Sequence, residues 1–436
     1  WQLICAMLGI LRLGAAVVPL DAQSPPERRR HILADSASVA VIHGAAEELP
    51  GLPGDVAALD VAALLEGDSK AGAAEAPEPP DAEAPFSFLF YTSGTTGLPK
   101  GVEVRDAGIL RLARPGWIRL DGPLRFAGVS NPAFDALNFE VWAPLLTGGS
   151  CVILDGETVQ DPELLAAALE RERIDALFMT AALFNAVVDR VPHCFSTVGQ
   201  VLVGGEQLNA RVIRRWYRDN PDSATVLHNG YGPTETSTFA VCHAIPRDFA
   251  GELVPIGRVL PGTEVVPVVD GVRRAEAGEL AELLITGEAL AAGYRNLPEE
   301  TAQRFVRLPW LDGGRARYYR SGDLVRQDAT GLITYVGRVD RQVKVRGFRI
   351  EPGEIEARIT AHPAVRQAHV CARRDVAADG AKELLAFLVL GADLSFDDFD
   401  RHLAAGLPAY MRPHRLHRVH ELPRTANGKI DEAALL

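Results

Sequence analysis

Short apolar runs recur along the chain, each stopped by glycine, proline or a polar cluster: Val39–His43, Phe88–Tyr91, Phe126–Asn131, Ser150–Leu154, Ile174–Thr180 and Gln200–Gly205. Runs of that length with little alternation predict strands buried on both faces, as in a parallel sheet. Helical periodicity lies between them. Pro162–Arg173 opens acidic and closes basic, which complements the helix dipole. The first residues, WQLICAMLGILRLG, read as an amphipathic helix stopped at Gly14, and LRLGAAVVPLD adds a short buried strand. Residues 278–294 alternate like a half-buried strand, whereas Glu66–Pro85 loses all periodicity and predicts a linker or surface loop. From Gly337 the chain becomes charge-rich. VKVRGFRI reads as an edge strand, a helix starts at Pro352, and strands at His369–Ala372 and Leu384–Leu390 complete a small α+β unit. The expectation is an α/β protein of two domains, residues 1–339 and residues 340–436.

Composition narrows the class. A chain of 436 residues with 47% hydrophobic positions can bury a sizeable core, and a net charge of -12 argues against nucleic acid or an anionic membrane as the main partner. Five cysteines without a CxxC pair suggest neither a disulfide framework nor a zinc knuckle, and no apolar run reaches membrane-spanning length. A reducing cytoplasm is expected. HRLHRVH near the end sets three histidines among arginines with no acidic or Cys partner, so metal is not expected there.

The chemistry concentrates in FLFYTSGTTGLPKGVEV, residues 88–104. Thr92, Ser93, Thr95 and Thr96 offer hydroxyls, Gly94 and Gly97 let backbone approach a ligand, and Lys100 offers a point charge, a set that suits phosphate oxygens. A Walker A loop is disfavoured, because Pro99 precedes the lysine and works against the strand-loop-helix cradle. Taken alone, a Gly/Thr-rich hairpin would serve as well. Further along, FDALNFE (134–140), VGGE (203–206), NGYGPTE (229–235), YRSGDL (319–324), GRVDRQVKVRGFRIEPGEIE (337–356) and NGKID (427–431) follow in order.

Together these stretches resemble the core motifs of adenylate-forming enzymes, the superfamily of acyl- and aryl-CoA synthetases, luciferases and the adenylation domains of nonribosomal peptide synthetases. The resemblance covers nearly the whole chain. It implies a large N-terminal domain of layered α/β subdomains with a small β-barrel-like part, and a small mobile α+β C-terminal domain. Roughly the first hundred residues of the family's large domain are expected to be missing, since the chain opens on Trp1. It also implies ATP and Mg2+ as cofactors. The phosphate loop with Lys100 and Gly205 would serve ATP, with Asn229 and Tyr231 at the adenine, Thr234 at the phosphate, Asp323 on the ribose and Arg338 reaching the nucleotide. Glu235 would hold Mg2+, Asp340 would be the interdomain pivot, and Lys429 would enter the active site as carboxylate meets phosphate. A carrier protein bearing phosphopantetheine is the implied second partner.

The resemblance also maps an amino-acid pocket onto Asp135, Ala136, Phe139, Phe178, Leu202, Gly204, Gly230, Thr238, Phe239 and Lys429. Asp135 and Lys429 would meet the ammonium and carboxylate that every α-amino acid carries. The other eight residues hold no charge, so an aliphatic side chain is expected, valine first, then isoleucine, with some 2-aminobutyrate. An acyl- or aryl-CoA ligase is the alternative, disfavoured by Asp135, which those enzymes generally lack at that position. A non-catalytic homologue is disfavoured because Lys429 and Glu235 both stand.

Overall fold

The computed structural model describes residues 1–44, 52–66, 86–94, 97–374, 382–424 and 430–436. Thr95, Thr96, Lys429 and almost all of the expected linker 66–85 lie outside the described residues.

The large domain is built on a seven-stranded sheet. Its parallel part runs, in spatial order, Ser150–Ile153, Arg125–Gly128, Ala176–Thr180, Gln200–Gly204 and Val226–Tyr231. Val241–Ala244 and Arg258–Val259 extend it in antiparallel fashion. The crossovers are helical and well signalled: Asp161 caps Pro162–Arg171 by accepting from the backbone N–H of Glu163 and Leu164, with Pro162 at the first helical position. Thr180 ends one strand and its hydroxyl caps the helix Ala181–Arg190. Helices Ala181–Arg190 and Ala210–Asp219 press Phe184 and Trp216, both fully buried, into the sheet's main core.

A six-stranded antiparallel sheet forms the small β part of this domain, centred on Leu280–Gly287 and Tyr318–Gln327. The phosphate-loop strands Phe88–Thr92 and Lys100–Val104 pair antiparallel as their own ribbon. Phe88 and Phe90 stack there at 5.6 Å and pack with Tyr294 and Tyr319. The helix Gln2–Arg12 forms as expected, with Gly14 beyond its end at φ 71°. The strand expected after it shrinks to a single bridge, Val17 to Phe88, because Pro19 cannot donate to a ladder.

The small domain packs helices Pro352–Thr360 and Phe396–Gly406 on the strands Val365–Arg374 and Lys382–Leu390. VKVRGFRI departs from the expected edge strand. It folds back as a two-stranded hairpin, Val343–Val345 against Phe348–Ile350. Arg346 and Gly347 both take positive φ, 52° and 84°, the turn that matches strand twist in a tight hairpin.

Candidate active site

The carboxyl ends of the parallel strands converge on one place. Phe178 pairs with Leu202 and Gly204 with Gly230 across adjacent strands, so the period of two puts all four on one face. Two glycines there are required by contact: a Cβ on Gly204 would lie 2.4 Å from the Gly230 carbonyl oxygen, and one on Gly230 would lie 2.8 Å from the Phe239 ring. That ring stands 5.4 Å from Phe178 and 5.5 Å from Phe139. The fold thus brings Ala136, Phe139, Phe178, Leu202 and Phe239 into one buried cluster. Trp117 and Phe126 belong to the same aromatic group and were missed from sequence, because each lies in a segment without a motif.

Asp135 sits at the edge of this cluster. Its Oδ2 is sealed from solvent and has no hydrogen-bond partner. Burial pushes the carboxyl up to about 6, the Thr234 hydroxyl opposing and the Glu235 charge adding to the rise. Thr238 does not offer its hydroxyl to the pocket; it donates to the Asp135 carbonyl at 2.8 Å. A single π-helical turn, Asn138–Trp142, follows, and its buried Glu140 accepts from the N–H of Val129 and Ser130 and from the Ser130 hydroxyl. Those bonds tie down the start of the loop that carries Asp135.

Glu235 is fully buried. Its Oε1 accepts from the Tyr294 hydroxyl at 2.6 Å and its Oε2 from Arg349 at 2.5 Å. Burial alone would raise this carboxyl, but the charges of Arg349 and Lys100 outweigh it and hold the group down at about 2. Lys100 is itself 2% exposed, bonded to Glu300 at 2.6 Å and poised 4.1 Å over the Tyr294 ring, and burial lowers its pKa. In this arrangement the lysine serves the protein's own carboxylate.

The expected nucleotide residues meet one another. Asp323 accepts from Tyr231 at 2.5 Å and from Arg338 at 2.6 Å, and Arg338 also bonds Asp340. Asn229 donates to the Pro255 carbonyl. Lys344 lies 5.5 Å over the Tyr231 ring.

The small domain reaches into this region with its hairpin. Gly347 N–H donates to Glu206 at 2.6 Å, and a Cβ on Gly205 would come 3.1 Å from the Gly347 Cα. Ser93 donates to the Arg349 carbonyl, while the Gly94 N–H donates to Glu354 at 3.0 Å. Glu354 also pairs with the buried Arg28 at 2.6 Å. The Gly94 N–H therefore already meets an anion, and it is a carboxylate of the small domain. Sequence reading missed Arg349 because alternation within VKVRGFRI signals only a strand, and Glu354 because an acidic residue in the first turn of a helix reads as a partner of the helix dipole.

Comparison with known proteins agrees with this architecture. The family description AMP-binding enzyme matches residues 1–295, and AMP-binding enzyme C-terminal domain matches residues 354–429. The chain belongs to this family of AMP-binding, adenylate-forming enzymes and is an adenylation domain of it. Over its whole length it is 39% identical to malpibaldin synthetase of Mortierella alpina and 35% identical to a dimodular nonribosomal peptide synthase of Bacillus subtilis. The chain spans 8% of the length of the first and 18% of the second. Among solved structures it is similar, with a TM-score of 0.87 and 32% identity, to a holo NRPS protein containing adenylation and PCP domains bound to a vinylsulfonamide inhibitor, covering 100% of this chain and 73% of that one. Among the described residues no helix is long and apolar enough to cross a membrane.

Proposed function

We propose that this domain activates an aliphatic α-amino acid with ATP and passes the acyl group to the phosphopantetheine thiol of a carrier protein. The observation that carries the reading is Asp135: a sealed carboxylate oxygen without a partner, beside an aromatic and aliphatic cluster that holds no charge. A substrate ammonium would supply what that oxygen lacks. The uncharged cluster gives a polar substrate side chain no partner, which costs about 1 to 3 kcal/mol and favours valine, then isoleucine and 2-aminobutyrate.

In the first step a carboxylate oxygen of the amino acid attacks the α-phosphorus of ATP, and pyrophosphate leaves. In the second, the carrier thiolate attacks the acyl carbonyl and AMP leaves. Neither step requires a protein nucleophile; positioning and cations suffice. Ser93, Gly94 and Lys100 would face the phosphates, Asn229, Tyr231, Asp323 and Arg338 the nucleoside, and Lys429 the reacting carboxylate. Glu235, buried and ionised with Thr234 adjacent, has the hard oxygen donors that suit Mg2+ once Arg349 has left Oε2. A bound Mg2+ would neutralise phosphate charge. We place the domain boundary and pivot at Asp340, beside the Arg338 pair.

The test is amino-acid-dependent exchange of pyrophosphate into ATP over valine, isoleucine, leucine, 2-aminobutyrate, phenylalanine and aspartate. Preference for either of the last two overturns the pocket reading, and exchange with none overturns the activity.

A further inference from the structure

Ser237 and Thr238 are consecutive residues with side chains in left-handed backbone, φ 53° and 73°. For a β-branched residue this is a strained conformation, held only when surroundings enforce it. The Ser237 hydroxyl donates to the Ala289 carbonyl, and the turn is also held by Arg111, whose side chain is wholly buried at the end of the helix Asp106–Leu110. One guanidinium nitrogen, Nη2, donates to the carbonyls of Thr236 at 2.8 Å, Ser237 at 3.1 Å and Phe239. Three carbonyls within four residues can converge on one nitrogen only if the chain turns sharply between them. The Nε and Nη1 groups are buried without partners, so this guanidinium is buried at a cost in hydrogen bonds. The helix leaves room for the turn as well: a Cβ on Gly108 would lie 2.1 Å from the Ser237 hydroxyl.

Two pocket elements hang on that turn. Phe239 lies against Gly230 and Phe178, and Thr238 is bonded to the main chain of Asp135. We propose that Arg111 is a positioning residue for amino-acid selection: its guanidinium clamps the Thr236–Phe239 turn and so fixes both the apolar wall and the Asp135 main chain. Among the described residues the hydrogen bonds of the Arg111 guanidinium all go to the turn, so it acts on the pocket through the turn. The inference rests on the amino-acid-activating function proposed above.

The experiment compares Arg111→Met, which keeps bulk without donors, and Arg111→Lys, which keeps the charge, with the parent domain. Exchange kinetics are measured for the parent's preferred acid, its next larger and smaller neighbours, and ATP. Ratios of kcat/KM between acids do not depend on the fraction of folded enzyme, so instability cancels. Arg111→Met is expected to raise KM for the preferred acid about tenfold, leave KM for ATP within twofold, and cut the preference over the larger acid by about tenfold. Arg111→Lys should fall between, and it carries the test if the methionine variant is insoluble. Arg114→Ala, which breaks only the exposed pair with Glu288, should leave the ratios unchanged. Ratios and amino-acid KM within twofold of the parent in both Arg111 variants overturn the positioning role. A parent that exchanges with no amino acid overturns the function instead.

Discussion

Arg349 of the small domain lies 2.5 Å from Oε2 of Glu235 in the large domain, and the carboxylate it covers is fully buried. A cation therefore already stands where the proposed magnesium carboxylate would use its charge. The partner contact is the reverse: Glu354, five residues on, takes the Gly94 N–H of the phosphate loop. One segment thus presents a positive group to Glu235 and a negative group to Gly94, the proposed metal and phosphate sides of the site.

Arg349→Met should consequently make Mg2+ easier to bind. On the proposed assignment the arginine and the metal would compete for one oxygen, and removing a competitor shifts the balance by its differential affinity. The half-saturating Mg2+ for pyrophosphate exchange is expected to fall roughly tenfold, equivalent to about 1.4 kcal/mol. An unchanged Mg2+ requirement would show that the two cations do not share the site.

Glu354→Gln tests the other contact. Losing one member of a buried ion pair costs about 3 to 5 kcal/mol when the survivor stays buried. Here a withdrawn small domain could rehydrate Arg28, so the loss should appear in docking rather than folding. Urea unfolding of the variant should stay within about 0.5 kcal/mol of the parent, the range of an ordinary surface change. Transfer to a carrier thiol should slow while exchange persists. Equal loss of both half-reactions would refute a role in docking alone.

How far the chain could be read follows from the same contacts. Buried parallel strands and the helix from Pro162 were legible because apolar runs and helical periodicity are local signals, whereas the Gly230 and Phe239 positions came only from the resemblance and the Asp161 cap was not read. The approach of Arg349 to Glu235, 114 positions away, is not local. Nor was the Arg111 clamp legible, since an arginine inside an amphipathic stretch reads as solvent-facing. VKVRGFRI misled for a specific reason: the Arg346–Gly347 turn contains no Asn-Gly or Asp-Gly signal, so a hairpin looked like one strand.

The acidic limb of amino-acid binding should report Asp135. Burial sets its carboxyl at about 6, raised from the ordinary range, and only the ionised form offers a charge to an ammonium. KM for the amino acid should therefore be flat above that pH and rise as pH falls through it, by about tenfold per unit, since each unit is worth about 1.36 kcal/mol. KM for ATP should stay level over the same range. In Asp135→Asn the pH dependence should vanish and amino-acid KM should be high throughout. A rise that persists in the asparagine variant would assign the titration elsewhere.

Gly230 and Phe239 make the most direct test of pocket size. A methyl group on Gly230 would come 2.8 Å from the ring, closer than real Cβ contacts, and the ring is hemmed by Phe178 and Phe139. The ring cannot retreat without moving the Thr236–Phe239 turn. Gly230→Ala alone should therefore disturb the wall, at the roughly 1 to 3 kcal/mol typical of overpacking, and lower exchange with every acid. Phe239→Leu removes the clash and widens the space beside Phe178. That single change should move preference toward leucine, by about 1 to 3 kcal/mol or 10- to 200-fold in relative kcat/KM, because apolar pockets discriminate at that level per methylene. In the double variant the added methyl has room, so its effect should be less than the sum of the singles, a coupling of about 0.5 to 3 kcal/mol for residues in contact. The readout is the valine-to-leucine ratio of kcat/KM across the four proteins. Strict additivity would mean that Gly230 and Phe239 do not share one wall, and a valine preference unmoved by Phe239→Leu would remove Phe239 from the pocket.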